Sequence, residues 1–384
     1  MRKITCLIAA IACVSCTTNN ELQVRVGNPN DFDRQSELVE IPLTDVEANV
    51  KLDEGESYIV RNVQGKIVPS QVTSDGKLLF QSGVKGKEVT LFYIGAGEPK
   101  EEYKTKTHGR FIQERKDDFA WENDRVAFRA YGPSLVAIDG PSNGFDAWYK
   151  RTGEMIIDKW YKDDLAQVAS YHEDHGEGLD NYDVKRSLGA GAMAPYVNDT
   201  LWLNENYISW EMLDNGPLRT RFKLTYKDIT ADGKTFPESR TISIDAGSQL
   251  TKIVQEYGTD TPIAVASGIV KRNGNDSIIT SPDKNYVIYA QPVSEVVDNV
   301  YLAMVFPQGI EKTEVNTYTI EHAISKQKQT YSHVLAVTTC QPGEPVVYYT
   351  GYGWSKFGFP TVADFQKYVA DFAANLKEPL VVKY

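Results

Sequence analysis

Apolar and polar residues alternate with period two over much of the chain. Residues 22–26 are the first clear case, with Leu22, Val24 and Val26 apolar and Gln23 and Arg25 polar. Alternation of this kind puts one face of a strand in a core and the other in water. Residues 58–60, 66–68, 77–80 and 89–94 continue the series at short spacing, with turns supplied by Gly65, Asp75-Gly76 and Gly86. Such spacing predicts a small β-sandwich over residues 20–98. Residues 95–106, rich in Gly, Pro, Glu and Lys, read as a linker.

Longer strands follow. Residues 125–131, 219–226, 240–245 and 250–257 alternate over six to eight positions, and 286–289, 301–305 and 334–337 extend the set. These predict two large stacked antiparallel sheets over residues 107–384. One helix closes the chain. Thr361 and Asp364 resemble a capping box, and Val362, Phe365, Val369, Phe372 and Leu376 recur at helical spacing. The expected fold class is all-β: a small sandwich, a large antiparallel supersandwich and a C-terminal helix that packs as structure.

Residues 141–215 break this pattern. They are polar, aromatic and punctuated by glycine, as long functional loops on β scaffolds often are. Trp148 and Trp160-Tyr161 lie here. So do His172 and His175, among Glu173, Asp174, Glu177, Asp180 and Asp183. The spacing of His172, His175 and Glu177 would suit zinc or another divalent metal. It is not the helical His-Glu-x-x-His arrangement, and Gly176 and Gly178 argue for a loop. A solvated acidic loop with incidental histidines is the plainer alternative. The preferred reading is metal-free: carboxylates fix an imidazole that acts as general acid or base. The glycines at 189 and 191 suit a tight backbone passage rather than a phosphate loop. Serine-hydrolase chemistry and dinucleotide binding have no support.

Residues 351–358 place Trp354 and Lys356 between glycines, where both are expected to be exposed. Tryptophan stacks on pyranose faces and lysine pairs with carboxylate or sulfate. The alternative is a turn whose Trp354 seals the sandwich. Arg125, Arg129, Arg151, Arg186 and Arg219 are further anion-binding candidates, and His333 opens a strand that could face a cleft. His108 and His322 have no constellation around them and read as structural.

Composition narrows the function classes. Of 384 residues, 41 are Lys or Arg and 52 are Asp or Glu, a formal net charge of −11 that argues against nucleic-acid binding. A mean hydropathy of −0.38 excludes a multi-spanning membrane protein. Aromatic residues make up 11%, which suits both β-sheets and sugar binding. At the N-terminus, Arg2-Lys3, an apolar stretch too short to span a bilayer, and Ser15-Cys16 resemble a bacterial lipoprotein signal. Residues 1–16 are thus expected to be a signal with Cys16 lipidated; Cys13 is the alternative acceptor, and a plain secretory signal the alternative reading. The expected location is the cell envelope, lipid-anchored or periplasmic, with the membrane met only through the anchor. Cys340 is then the one mature cysteine beyond the anchor, expected as a buried small hydrophobe with no disulfide.

Residues 121–132, 172–196, 243–250 and 353–358 together resemble a bacterial secreted family catalogued as domain of unknown function 4861. The resemblance covers nearly the whole mature chain. It implies a galactose-mutarotase-like supersandwich and a place in polysaccharide utilisation. It also implies kinship to an ulvan oligosaccharide dehydratase, which removes water from a uronic acid at the non-reducing end and leaves a 4,5-unsaturated sugar. That chemistry needs the carboxylate neutralised, a base for the C5 proton and an acid for the C4 hydroxyl. On this resemblance His172 or His175, paired with Tyr182 or Tyr196, would transfer protons. Arg186 or Lys356 would clamp the carboxylate, and Trp148, Trp354, Arg129 and His333 would line the substrate, an acidic oligosaccharide. The alternatives are a glycoside hydrolase using Glu173, Asp174, Glu177 or Asp180, an epimerase, and a non-catalytic glycan-binding lipoprotein.

Overall fold

The computed structural model describes residues 20–98 and 103–384. The signal reading and Cys16 lie outside the described residues. The first unit is a sandwich of two sheets. One runs in the order Val381–Lys383, Glu21–Gly27, Val89–Gly97, Ser57–Asn62, Ile67–Val68. The other comprises Arg34–Pro42, Lys77–Val84 and Ser70–Thr73. Leu22, Val24 and Val26 point inward onto Val39, Ile41, Phe80 and Ile94, as the alternation predicts. The last strand of the chain returns to this sandwich, with Arg25 opposite Lys383 and Gly27 opposite Val381. Three residues are too few to show an alternating pattern, so nothing in the sequence marks this return.

The second unit holds an eight-stranded sheet and two five-stranded sheets. An eight-stranded sheet runs from Ser209–Asn215 through Arg219–Thr225, Glu238–Asp245, Leu250–Tyr257, Val346–Trp354, Val300–Val305 and Tyr286–Ala290 to Ser277–Thr280. A five-stranded sheet has Ile263–Val270 at its centre, between Ala190–Val197 and Lys328–Cys340. A second five-stranded sheet orders Gly178–Asp180, Phe145–Lys150, Ala127–Ala130, Asp118–Asn123 and Thr107–Ile112. Ladder pairings are antiparallel throughout these three sheets. Phe119 stacks on Phe222 at 4.1 Å and Trp121 lies 5.3 Å from the same ring, which fastens the second five-stranded sheet to the eight-stranded one. This is the all-β supersandwich.

Helix Val362–Lys377 begins as its sequence predicts. The Thr361 hydroxyl accepts from the Asp364 amide, and the Asp364 carboxylate accepts from the Thr361 amide. Phe365, Val369 and Ala373 bury against Tyr301, Ala303 and Val305 of the eight-stranded sheet. A β-carbon on Gly353 would lie 2.4 Å from the Phe365 ring, so glycine is what lets helix and strand approach. Gly353 therefore serves packing and Trp354 is buried, while residues 355–358 make the expected exposed turn, with Lys356 and Gly358 at the surface. Cys340 is a buried free thiol, as expected.

Residues 141–215 are more regular than their sequence suggests. Phe145–Lys150 is buried at every position, which removes the alternation that identifies a strand. Helix Ile157–Leu165 was not legible either. It buries Ile157, Trp160 and Tyr161, and its start is fixed from the sheet: the Glu122 carboxylate accepts from the amides of Ile156 and Ile157.

Candidate functional site

The outer face of the second five-stranded sheet carries charge where a core would be apolar. Arg129 and Asp146 are directly opposed across neighbouring strands. Both are buried, and the Arg129 guanidinium donates to Asp146 through Nε at 2.9 Å and Nη2 at 2.5 Å. The same Nη2 donates to Asp180 at 2.8 Å. Asp118 stands 3.9 Å from Arg129, and Arg115 lies 3.3 Å from Asp118. The Tyr131 hydroxyl donates to Asp146 at 3.2 Å, and the guanidinium groups of Arg129 and Arg115 lie 4.8 Å and 5.9 Å from the Tyr131 ring centre. Helix Ile157–Leu165 and the following loop roof this cluster. Trp148 stacks on Trp160 at 5.5 Å and on Tyr171 at 5.0 Å, with the guanidinium of Arg129 5.1 Å from its ring.

His172 sits at the rim, next to Tyr171, its side chain 59% exposed. Its Nδ1 lies 3.0 Å from the Asp180 carbonyl and 3.6 Å from the Asp180 carboxylate. A carbonyl can only accept, so Nδ1 carries the proton and Nε2 presents a lone pair outward. Among the described residues Nε2 has no hydrogen-bond partner. In the neutral ring this leaves Nε2 as the atom that could accept a proton.

Four buried polar atoms of this cluster have no hydrogen-bond partner: Arg115 Nη1, Asp118 Oδ2, Asp146 Oδ1 and Tyr161 Oη. Protein interiors rarely leave such groups unmet; Arg115 Nη1 and Asp118 Oδ2 face each other as an ion pair at 3.3 Å, and the concentration makes this cluster a candidate site. Burial, and then the neighbouring Asp180 carboxylate, push Asp146 up to about 7 against the pull of Arg129. Burial also raises Asp118, opposed by Arg129 and Arg115. Burial works against the charge of Arg129, but Tyr131, Asp146 and Asp180 outweigh it and hold the guanidinium protonated well above its ordinary value. Tyr131 is raised well above the ordinary phenol range, by burial first and then by the Asp146 carboxylate, so it stays neutral.

The structure scatters several residues that sequence reasoning grouped. His175 points back to the Ser170 carbonyl at 3.2 Å. Glu177 is engaged by Lys159 at 2.8 Å and by the Trp160 indole. His172, His175 and Glu177 therefore do not converge, and no group of three or more metal-type ligands is arranged to hold an ion among the described residues. Arg129 and Trp148 lie inside the cluster, where Arg129 already has anionic partners and Trp148 is fully buried. Trp354, expected at the surface, is 1% exposed and donates to the Val297 carbonyl. Lys356 donates to the Val296 carbonyl at 2.9 Å. Arg186 is bound to the carbonyls of Asn204 and Leu203. His333 is buried and accepts from the Leu188 amide; burial, then the charge of Arg272, lower it to about 3, so it is a neutral anchor. Tyr196 lies apart, with its hydroxyl near Asp199 and Asn316. Tyr182 is buried and donates to the Gly189 carbonyl.

Sequence reasoning overlooked Arg115, Asp118, Tyr131, Asp146 and Tyr171. A signal existed in the strands Ala127–Ala130 and Phe145–Lys150, where a lone Arg129 and a lone Asp146 interrupt apolar runs. Residues 140–144 also match the Gly-x-Ser-x-Gly spacing of a nucleophile elbow. Ser142 is buried, however, and its hydroxyl donates to the Lys185 carbonyl, with no histidine bound to it.

Comparison with known proteins places these residues in context. The family model described as "Domain of unknown function (DUF4861)" matches residues 26–382. An uncharacterized protein P7 from Formosa agariphila is 31% identical over 379 residues, covering 94% of this chain and 92% of its own. Two solved structures from Enterococcus faecalis also align. An alpha-mannosidase gives a TM-score of 0.47 at 9% identity, over 95% of this chain and 46% of its own. A protein in the glycosyl hydrolase family 38 gives 0.45 at 9% identity, over 95% and 47%. The chain spans about half the length of these two structures.

Proposed function

The chain belongs to the family described as domain of unknown function 4861, and from that premise we propose that it is an oligosaccharide dehydratase. The reaction is elimination of water from C4 and C5 of a uronic acid at the non-reducing end of an acidic oligosaccharide. The C5–H and C4–O bonds break, a C4=C5 double bond forms, and water leaves. The observation that carries this reading is the one-sided fixation of His172, with Nδ1 tied to Asp180 and Nε2 open at the rim.

In this mechanism His172 Nε2 takes the C5 proton. Asp180 is a positioning residue that fixes the ring and supports the imidazolium once formed. Tyr131 is half-buried at the rim and hands its proton to the leaving C4 hydroxyl, while Asp146 replenishes it across 3.2 Å. An Asp146 raised to about 7 still holds a proton near neutrality, which this relay requires. Arg115, 5.9 Å from the Tyr131 ring and partly exposed where Arg129 is buried, would neutralise the substrate carboxylate. Arg129 holds Asp146 and Asp180 in place and meets no substrate.

A hydrolase would need a carboxylate pair facing the substrate. Of the candidate carboxylates, Asp180 is buried on Arg129, Asp174 is paired with Arg151 at 3.0 Å and Glu177 with Lys159 at 2.8 Å. The expected setting is the cell envelope, by way of the N-terminal signal. No helix among the described residues is long and apolar enough to cross a membrane.

The test is ultraviolet absorbance during incubation with a panel of uronic-acid oligosaccharides. The conjugated product absorbs and the substrate does not, so the wild type should give a rise. His172→Asn should give none while melting like the wild type. A rise undiminished in His172→Asn would sink the assignment of the base, and release of reducing ends without a rise would sink the dehydratase.

A further inference from the structure

A separate cavity of about 350 Å³ is lined in part by Asn181, Tyr182, Asp183, Arg272, Asn273 and Gln291. None of these residues belongs to the proton-transfer cluster. Arg272 is the notable member. Its Nη2 donates to the Asp183 carbonyl at 2.6 Å, its backbone amide donates to the Tyr289 hydroxyl at 2.8 Å, and its guanidinium lies 4.9 Å from the Tyr182 ring centre. The Asp183 carbonyl and the Tyr182 ring hold the guanidinium without neutralising it. The acidic residues nearby are paired with other cations: Asp183 with Lys185 at 2.7 Å, and Asp276 with Lys271 at 2.6 Å. Among the described residues no ion pair includes Arg272. Its charge also reaches inward, where it helps keep His333 neutral.

A fixed, unpaired guanidinium at a cavity wall is an anion receptor. The rest of the lining fits a sugar. Asn181 and Asn273 offer amides, and Gln291 Nε2 is buried without a hydrogen-bond partner. Pro292 and Val297 supply an apolar wall against which a pyranose face can lie.

We propose that this cavity is a second sugar subsite, in which Arg272 binds the carboxylate or sulfate of a sugar unit neighbouring the one that reacts. The inference rests on the dehydratase reading only for its place in the substrate. The anion binding itself rests on Arg272 and the cavity. Such a subsite would make the chain prefer oligosaccharides charged at two positions, and would contribute binding that a single uronate cannot recruit.

The experiment is calorimetric titration of the full chain with D-glucuronate, glucose 6-sulfate and glucose. At least one anion should bind more tightly than glucose by about tenfold or more, as a charge-assisted hydrogen bond implies, and the tighter of the two names the substituent. Arg272→Gln should lower its affinity to that of glucose. Asn181→Asp brings a carboxylate to the cavity at an exposed position without altering the arginine, and should weaken the anion but not glucose. Equal binding of glucose and both anions, no binding of either anion, or anion binding that survives both Arg272→Gln and Asn181→Asp would overturn the proposal. A chain that binds an anion through Arg272 yet never eliminates water would keep the subsite and sink the dehydratase reading.

Discussion

At the residue scale the account turns on His172 and on the buried charges behind it. His172 is exposed and makes one hydrogen bond inward, so His172→Asn should change stability by no more than about 0.5 kcal/mol. Its loss as a general base should lower kcat by roughly 10²–10⁴-fold. Steady-state kinetics beside thermal melting separates the two effects. Arg129 is the opposite case. Arg129→Met leaves buried Asp146 and Asp180 without their cation, and should destabilise the fold by about 3–5 kcal/mol; a chemical denaturation curve close to wild type would contradict the central role given to this ion cluster. Asp146 links the site to pH. Its folded pKa lies above the unfolded one, so the folded form keeps a proton that the unfolded chain loses, and stability falls as pH rises toward about 7. Asp146→Asn, which mimics the protonated carboxyl, should flatten that decline in melting temperature. In the wild type kcat should fall as pH rises through about 7, because the relay then loses its proton. The sequence made His172 visible because histidine among carboxylates is conspicuous. It hid Asp146 and Tyr131 because their meaning depends on strand register, which brings Arg129 opposite Asp146 from 17 residues away.

At the scale of elements, what could be read depended on whether one face met water. Leu250–Tyr257 and Glu238–Asp245 alternate in burial and were legible as strands. Phe145–Lys150 is buried on both faces, and it was not. Helix Val362–Lys377 announced itself through its cap, so Thr361→Ala should cost about 1 kcal/mol in denaturant unfolding. A change near zero would mean that packing of Phe365 and Val369 alone sets the helix start. Helix Ile157–Leu165 has no local side-chain cap; its start is fixed by Glu122, 34 and 35 positions upstream of the two amides that it accepts. A cap supplied from another element leaves no mark in the local sequence. Gly353 was read as part of an exposed turn for a related reason: a glycine that admits a neighbouring helix looks, in sequence, like one that makes a turn.

At the scale of the whole molecule, the chain runs from a small sandwich through the supersandwich and back. Val381–Lys383 pairs with Glu21–Gly27, and Leu380 and Val382 pack on the small sandwich core. Ending the chain at Lys377 should therefore loosen the small sandwich first. Hydrogen exchange should show lost protection at residues 25–27, with Leu250–Tyr257 unaffected; uniform loss across both units would show instead that they unfold together. The central claim, however, concerns the bond that breaks. Mass spectrometry of a uronic-acid oligosaccharide after incubation with the purified chain tests it most directly. The account predicts one product of unchanged chain length, lighter by a single water, formed by the wild type and not by His172→Asn. Two shorter products that together contain one added water would mean hydrolysis and would contradict the assignment.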